Sequence, residues 1–258
     1  MNFSFLRAGM LAAAAFGGAV SVSAQVLVGP SPYLSFADSP FSGPGFSYFH
    51  LENFEDNVFT PGWTANPGWV RAAPGPLTDS VDADDGAIDG SGAAGGSFYS
   101  GNISSTLSIT FDASVLGALP THVGVVWTDV GIAFPTSGFG DFRFEAFDSA
   151  NLSLGAIGPY TLGDGSAAGG TFEDRFFGIT SAGGIARIEL SSTLGGDADL
   201  PASGTIDWEV DHLQYGRISP AVGAVPEPST TGILAAAVLL LGAGLRSRRR
   251  FRFFCQPK

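Results

Sequence analysis

The densest group of potential metal ligands is a short acidic run between residues 82 and 90. The run reads Asp82-Ala83-Asp84-Asp85-Gly86-Ala87-Ile88-Asp89-Gly90. Calcium takes about six to eight oxygen ligands, and carboxylates on a tight, glycine-containing turn can supply them. The run is not an EF-hand, because the twelfth position from Asp82 is Ala93 and not glutamate. We predict a structural calcium at Asp82, Asp84, Asp85 and Asp89, with a turn splayed into water as the alternative.

A second candidate calcium site joins acids that are distant in the sequence. Many carbohydrate-binding jelly rolls hold a structural calcium between their first and last strands. Here Glu52-Asn53-Phe54-Glu55-Asp56 would be an early strand, and Asp207-Trp208-Glu209-Val210-Asp211 would be the last one. Glu52 or Glu55 together with Asp211 would then bind the ion. The alternative is that these acids lie on a solvent-exposed face.

Two tryptophans are candidate ligand-binding residues. Trp63 and Trp69 lie in a Pro- and Gly-rich stretch, residues 61–69, that we interpret as a loop. Sugars stack on exposed aromatic rings while polar groups bind their hydroxyls. Trp63 and Trp69 could therefore bind carbohydrate, and the alternative is packing in the core. Trp127 and Trp208 lie in strand patterns and are predicted to be core residues.

The sequence carries no local signature of an enzyme. The histidines are His50, His122 and His212, without the spacing of a zinc-protease motif, and no Gly-x-Ser-x-Gly elbow or phosphate-binding loop is present. We therefore predict a protein that is not an enzyme and has no catalytic residues. A secreted glycan hydrolase is the alternative, because a pair of carboxylates that meets only in space leaves no trace in the sequence.

The charge distribution separates the body of the chain from its ends. The whole chain has a net charge of −12, but residues 26–225 hold 23 of the 24 acids and five of the basic residues, a net charge of −18. Such a surface repels phosphate backbones, so nucleic acid is excluded as a partner. The single cysteine, Cys255, precludes an intramolecular disulfide. The acidic surface suits a cation or a neutral ligand, or it serves solubility alone.

Alternating apolar residues predict an all-β domain. Period-two patterns recur over residues 106–111, 141–147, 185–190 and 205–215, and a continuous apolar run spans Val123–Trp127. Strands with one apolar face need a second sheet, so we expect a two-sheet β-sandwich with jelly-roll topology over residues 50–219. A closed eight-stranded barrel is the alternative. The apolar phase flips after Val210, which predicts a bulge near Asp211-His212. Residues 25–49 are predicted to be a loose leading segment with at most one strand.

The first 24 residues have the three parts of a secretory signal peptide. Arg7 precedes an apolar run from Ala8 to Val20, and Val22-Ser23-Ala24 is a small-residue cleavage site before Gln25. The run is short for a membrane span. We therefore predict a signal helix that is removed on export through the Sec machinery, with an uncleaved membrane helix as the alternative.

Residues 220–258 have the pattern of a membrane anchor. Val225-Pro226-Glu227-Pro228-Ser229 precedes an apolar run from about Gly232 to Leu245, which an arginine cluster follows. The run predicts a transmembrane helix, and the arginines are expected on the cytoplasmic side. The prolines prevent the helix from continuing outward and leave an extended, accessible strip.

This tail resembles the PEP-CTERM sorting signal over about residues 225–252, including the motif Pro226-Glu227-Pro228. In that family an exosortase, a membrane protease-transpeptidase, recognises the motif and releases or transfers the protein. Such systems accompany extracellular polysaccharide production in Gram-negative bacteria. The resemblance implies that Pro226, Glu227 and Pro228 are recognition residues and that an exosortase is a partner. The tail departs from the pattern by continuing to Lys258, and an ordinary tail anchor is the alternative.

The middle of the chain is similar to exported domains that precede such tails. The similarity spans about residues 50–216 and rests on segments such as Thr121–Asp129 and Asp211–Gly216. It implies an exported β domain and no particular activity. We therefore expect a surface or extracellular-matrix protein that binds polysaccharide, is membrane-anchored before sorting, and contains structural calcium. A purely structural matrix component is a further alternative.

Overall fold

A computed structural model describes most of the chain between residues 25 and 218. The described ranges are 25–43, 45–72, 80–83, 86–88, 96–100, 106–130, 141–161, 174–192 and 208–218. They belong to one unit that ends at Ile218. The predicted signal peptide and the predicted sorting signal lie outside these ranges. Within them, no helix has the length and apolar character needed to cross a membrane.

Strands dominate the described residues, with one short α-helix, Ala113–Leu116, and 3-10 turns at Phe36–Asp38 and Val81–Ala83. The strands are β1 Val26–Pro32, β2 Phe46–Glu52, β3 Trp63–Asn66, β4 Trp69–Ala72, β5 Ser97–Ser100, β6 Thr106–Phe111, β7 His122–Val130, β8 Asp141–Phe147, β9 Ser153–Thr161, β10 Arg175–Thr180, β11 Arg187–Ser192 and β12 Trp208–Ile218.

The strands form two antiparallel sheets in a sandwich-like arrangement. The first sheet has the order β1-β10-β7-β12-β5-β4, and β2 also pairs with β12. The second has the order β3-β6-β11-β8-β9. The main hydrophobic core draws on both sheets, with Val125 and Trp127 from β7 and Phe144 from β8 fully buried. The all-β class and the two-sheet arrangement predicted from the alternation are confirmed.

The predicted bulge in β12 is present. The pairing of β12 with β7 shifts register between Asp211 and Gln214, and His212 has φ +45°. Val210 lies in the main core before the shift, and Leu213 and Tyr215 lie in it afterwards. The bulge therefore keeps the apolar side chains between the sheets on both sides of the shift.

A second hydrophobic cluster involves the first sheet and the segment that follows β1. Its buried members are Tyr33, Phe41, Val81, Val126 and Phe176. Val126 lies between the core residues Val125 and Trp127 in sequence, so its side chain points to the opposite face of β7. The segment after β1 therefore covers the outer face of the first sheet, and polar residues of β12 lie beneath it.

Two predictions about loops are wrong. Residues 25–49 were expected to hold at most one strand, but β1 pairs with β10 and β2 begins at Phe46 and pairs with β12. Residues 61–69 were expected to be a loop, but β3 pairs with β6 and β4 pairs with β5. These strands pair with partners distant in sequence, and pairing of that kind overrides a local composition rich in proline and glycine.

Candidate metal centre

The bulge in β12 places Asp211 and His212 beside the turn that begins at Ser80. Asp211 is fully buried. Its Oδ2 accepts hydrogen bonds from Ser80 Oγ at 3.0 Å and from the Val81 backbone N–H at 3.1 Å. Its Oδ1 accepts a 2.6 Å hydrogen bond from the His212 backbone N–H. The Asp211 carboxylate therefore ties the turn at residues 80–83 to the last strand.

The His212 ring is buried between a tyrosine and a carboxylate. Its Nδ1 lies 2.9 Å from Tyr33 Oη, and the two rings meet edge to face with centroids 5.5 Å apart. On the other side, His212 Nε2 lies 3.5 Å from Asp82 Oδ1. The ring thus links the segment after β1 to the acidic turn.

Asp82 is the exposed member of the group. Asn53 Nδ2 donates a hydrogen bond to Asp82 Oδ2 at 3.3 Å. The nearby His212 ring lowers the pKa of the Asp82 carboxyl, with a smaller contribution from Asn53. The pKa of the Asp211 carboxyl moves in the opposite direction, because burial raises it to about 7. The two carboxyl groups therefore differ in pKa because Asp82 is exposed and lies beside the imidazole, whereas Asp211 is fully buried.

A chain of buried side chains continues from His212 beneath the segment after β1. Gln214 Nε2 donates to Tyr33 Oη at 2.9 Å, and Ser39 Oγ donates to Gln214 Oε1. Burial raises the pKa of the Tyr33 hydroxyl, and Asp211 adds to this effect, so Tyr33 stays neutral. This polar chain fixes the orientation of the imidazole from the side opposite Asp82.

The structure brings together one member of each predicted calcium site. Asp82 and Asp211, together with His212, each offer a ligand atom within 4.8 Å of the others. Glu55 is not a member of this group, and its Oε1 accepts from the Ser97 backbone N–H. Asp84, Asp85 and Asp89 lie outside the described residues. Calcium at these positions stays a prediction.

Glu52, named with Glu55 in the second predicted site, is hydrogen-bonded within its own turn, and calcium binding by it stays a prediction. It is the last residue of β2, and Asn53–Asp56 form a turn and not the early strand expected from the sequence. Its carboxylate accepts hydrogen bonds from the backbone N–H groups of Phe54 at 2.9 Å and Thr60 at 2.6 Å. Glu52 therefore closes the turn that follows β2.

Sequence reasoning missed His212 as a member of the site. The adjacent Asp211 was identified, and the phase flip in β12 was located at this dipeptide. Together these signals could have indicated His212, because a bulge lets two consecutive residues leave the alternation of a strand and turn toward the same side.

The two candidate sugar-binding tryptophans have different environments. Trp63 is buried in the main core, and its Nε1 donates to Thr60 Oγ1 at 3.2 Å. Trp69 is 49% exposed on β4, and the Arg71 guanidinium lies 5.4 Å from the centre of its ring. Trp63 therefore packs in the core, whereas Trp69 exposes an aromatic surface to solvent. The predicted core position of Trp127 is confirmed, and the side chain of Trp208 is not among those described.

No protein-family model matches this chain, and no curated protein matches it.

Proposed function

We propose that the chain is an exported surface or extracellular-matrix protein whose β-sandwich binds extracellular polysaccharide and catalyses no reaction. The observation that carries the binding function is the half-exposed indole of Trp69 beside Arg71. A sugar ring stacks on an aromatic face while nearby N–H donors bind its hydroxyls. An edge strand offers such a pair to a long, neutral polymer without the need for a deep pocket.

We propose jelly-roll topology for this sandwich. Four neighbouring strands of the first sheet have the order β5-β12-β7-β10, and four of the second have the order β6-β11-β8-β9. From β6 to β12 the chain changes sheet at each step except the β8–β9 hairpin. Two four-stranded sheets connected in this alternating way are the pattern of a jelly roll.

Polysaccharide binding is tested with the full chain and the variant Trp69→Ala. In affinity electrophoresis through gels containing the host's extracellular polysaccharide, we expect the variant to lose about tenfold in affinity, the loss of roughly 1.4 kcal/mol of stacking. Tyr160→Ala is the matched control, because Tyr160 is an exposed aromatic residue on the edge strand of the other sheet. Equal retardation of the protein and Trp69→Ala would refute this function.

The group at β12 bears on the alternative of a glycan hydrolase. Asp82 and Asp211 resemble an acid–base pair, because two carboxylates close in space differ in their pKa. A hydrolase needs both carboxylates to reach the glycosidic bond, but Asp211 is fully buried beneath Ser80 and Val81. We expect no release of reducing ends from the polysaccharide. Release that is abolished in Asp82→Asn would establish the hydrolase.

Export and sorting are tested by mass spectrometry of the mature protein from its native host. We propose that the Sec machinery exports the chain, that cleavage leaves Gln25 as the first residue, and that an exosortase processes the tail near Pro226-Glu227-Pro228. The protein is then membrane-anchored before sorting and at the cell surface or extracellular afterwards. A mature chain that is intact through Lys258 would reject sorting by cleavage, and a retained leader would reject export.

A further inference from the structure

Asp82, Asp211 and His212 form a mixed oxygen and nitrogen donor set. One ligand atom from each lies within 4.8 Å of the others, and two of the three side chains are buried. We propose that these three residues bind a divalent transition-metal ion, with zinc as the best-matched metal and water as a further ligand. This site is separate from Trp69 and does not depend on polysaccharide binding.

The spacing of the ligand atoms fits a shared ion. His212 Nε2 lies 3.5 Å from Asp82 Oδ1, whereas an N–H···O hydrogen bond spans about 2.7–3.2 Å. Two donors that each lie about 2.1 Å from a tetrahedral ion are about 3.4 Å apart. The Asp211 ligand atom lies within 4.8 Å of the other two ligand atoms, and a bound ion would draw the three donors together.

Each of the three ligands is oriented by a hydrogen-bonding partner outside the group. Metal-binding imidazoles and carboxylates carry such outer partners, which fix the ligand atoms before the ion binds. The partners are Tyr33 for His212 at 2.9 Å, Ser80 and Val81 for Asp211 at 3.0 and 3.1 Å, and Asn53 for Asp82 at 3.3 Å.

An ion bound at Nε2 requires the ring proton of His212 on Nδ1. That proton is donated to Tyr33 Oη, which also accepts from Gln214, so the Tyr33 hydroxyl proton must turn to an acceptor other than these two. A carboxylate oxygen has two lone pairs, and Asp211 Oδ1 uses one for the His212 backbone N–H. The other can bind the ion without the loss of a described hydrogen bond.

The imidazole determines which metal the site prefers. Calcium and magnesium take oxygen ligands, whereas imidazole suits zinc and other transition metals. Three protein ligands within one small group also match the four-coordinate geometry of zinc, with water in the fourth position. The calcium predicted from the sequence rested on carboxylates alone, and His212 changes that preference.

The test compares zinc with calcium on the full chain carrying Cys255→Ser, which removes the thiol as a competing zinc ligand. After treatment with EDTA, the protein is titrated with zinc chloride and, separately, with calcium chloride in a calorimeter. We expect one zinc per chain, and a rise in Tm of about 5 °C or more at roughly 100-fold excess over Kd.

Two variants and two matched controls locate the ion. His212→Asn suits the positive φ of this residue and removes the imidazole, and Asp82→Asn removes the exposed carboxylate. We expect each to lose at least about tenfold in zinc affinity. His50→Gln and Asp56→Asn change a histidine and an acid outside the group, and both should bind zinc like the parent protein.

The outcomes separate a zinc site from a calcium site and from no site. Zinc binding that is lost in both site variants and kept in both controls supports the proposal. The proposal is overturned if the parent protein does not bind zinc one to one and calcium still binds to His212→Asn. It is also overturned if no metal binds one to one. The nitrogen-15 shifts of the His212 ring identify Nε2 as the ligand atom in the folded parent protein. Zinc that leaves these shifts unchanged contradicts the proposal even where a variant fails to fold.

Discussion

At the scale of single residues, Glu52 illustrates a buried carboxylate with a structural role. It is 2% exposed, and its Oε2 accepts hydrogen bonds from both the backbone N–H and the hydroxyl of Thr60. Its Oε1 accepts from the Phe54 backbone N–H, and Phe54 has φ +61°. The carboxylate therefore holds a turn whose backbone would otherwise leave donors without partners inside the protein.

Glu52→Gln should destabilise the fold, because one acceptor oxygen becomes an NH₂ group that faces N–H donors. We expect the free energy of unfolding in urea to fall by about 1–3 kcal/mol. Glu145→Gln is the control, because Glu145 pairs with the half-exposed Arg143 on the surface of β8, and its loss should cost less than about 1 kcal/mol. Equal effects of the two substitutions would show that the turn does not depend on Glu52.

His122 gives a pH-dependent prediction. Its ring packs edge to face against Phe41 and Phe46, and burial lowers its pKa from the ordinary value of 6.5. The His122 ring of the unfolded chain therefore binds a proton more readily than that of the folded chain. The contribution of the neutral ring to the free energy of unfolding is full above pH 6.5 and decreases as the pH falls below that value.

We expect the difference in unfolding free energy between the protein and His122→Gln to shift in favour of the variant between about pH 7.5 and about pH 5.5. Taking the difference between the protein and the variant removes the contributions of the other titrating groups, since both proteins contain them. Urea unfolding at several pH values measures it, and a difference that stays constant over this interval would contradict the prediction.

At the scale of elements, the outer face of the first sheet depends on two paired glycines. Gly124 of β7 pairs with Gly178 of β10, and the buried ring of Phe176 lies over both. A Cβ atom at Gly124 would overlap the Phe176 ring. The glycine within the apolar run Val123–Trp127 is thus explained by an aromatic ring that packs directly on the backbone.

Gly124→Ala should therefore destabilise the protein by about 1–3 kcal/mol, because the Phe176 ring is enclosed and must shift. Gly183→Ala is the matched control, since the nearest atom to a Cβ there is Ser181 Oγ at 3.8 Å. Thermal melting compares the two variants. A Tm for Gly124→Ala as high as that of Gly183→Ala would mean that Phe176 has room to move.

At the scale of the whole molecule, the acidic surface should make stability depend on salt. The net charge of −18 over residues 26–225 produces self-repulsion that favours the unfolded chain. Raising sodium chloride from about 10 mM to about 200 mM shortens the screening length from roughly 30 Å to less than 10 Å. We expect the Tm to rise over this range, and a Tm that falls would indicate that attractive ion pairs outweigh the repulsion.

The strands and the bulge were predictable from the sequence because their signals are local. Side chains alternate with a period of two, so Phe142, Phe144 and Ala146 identify one buried face of β8 without knowledge of its neighbours. The same reasoning places the bulge, since Leu213 and Tyr215 return to the core only if one residue is added after Val210.

The pairing of β1 and β2 and the assembly of the candidate metal centre were decided by tertiary structure. The first two strands are rich in proline and glycine or lie beside such residues, so the sequence shows no strand pattern there. Their hydrogen-bonding partners lie in β10 and β12. Asp82 and Asp211 are separated by more than a hundred residues, and the bulge of β12 and the turn at residues 80–83 together place them beside His212. Alternation records which face of a strand is buried, whereas the meeting of distant side chains depends on packing that no short stretch of sequence encodes.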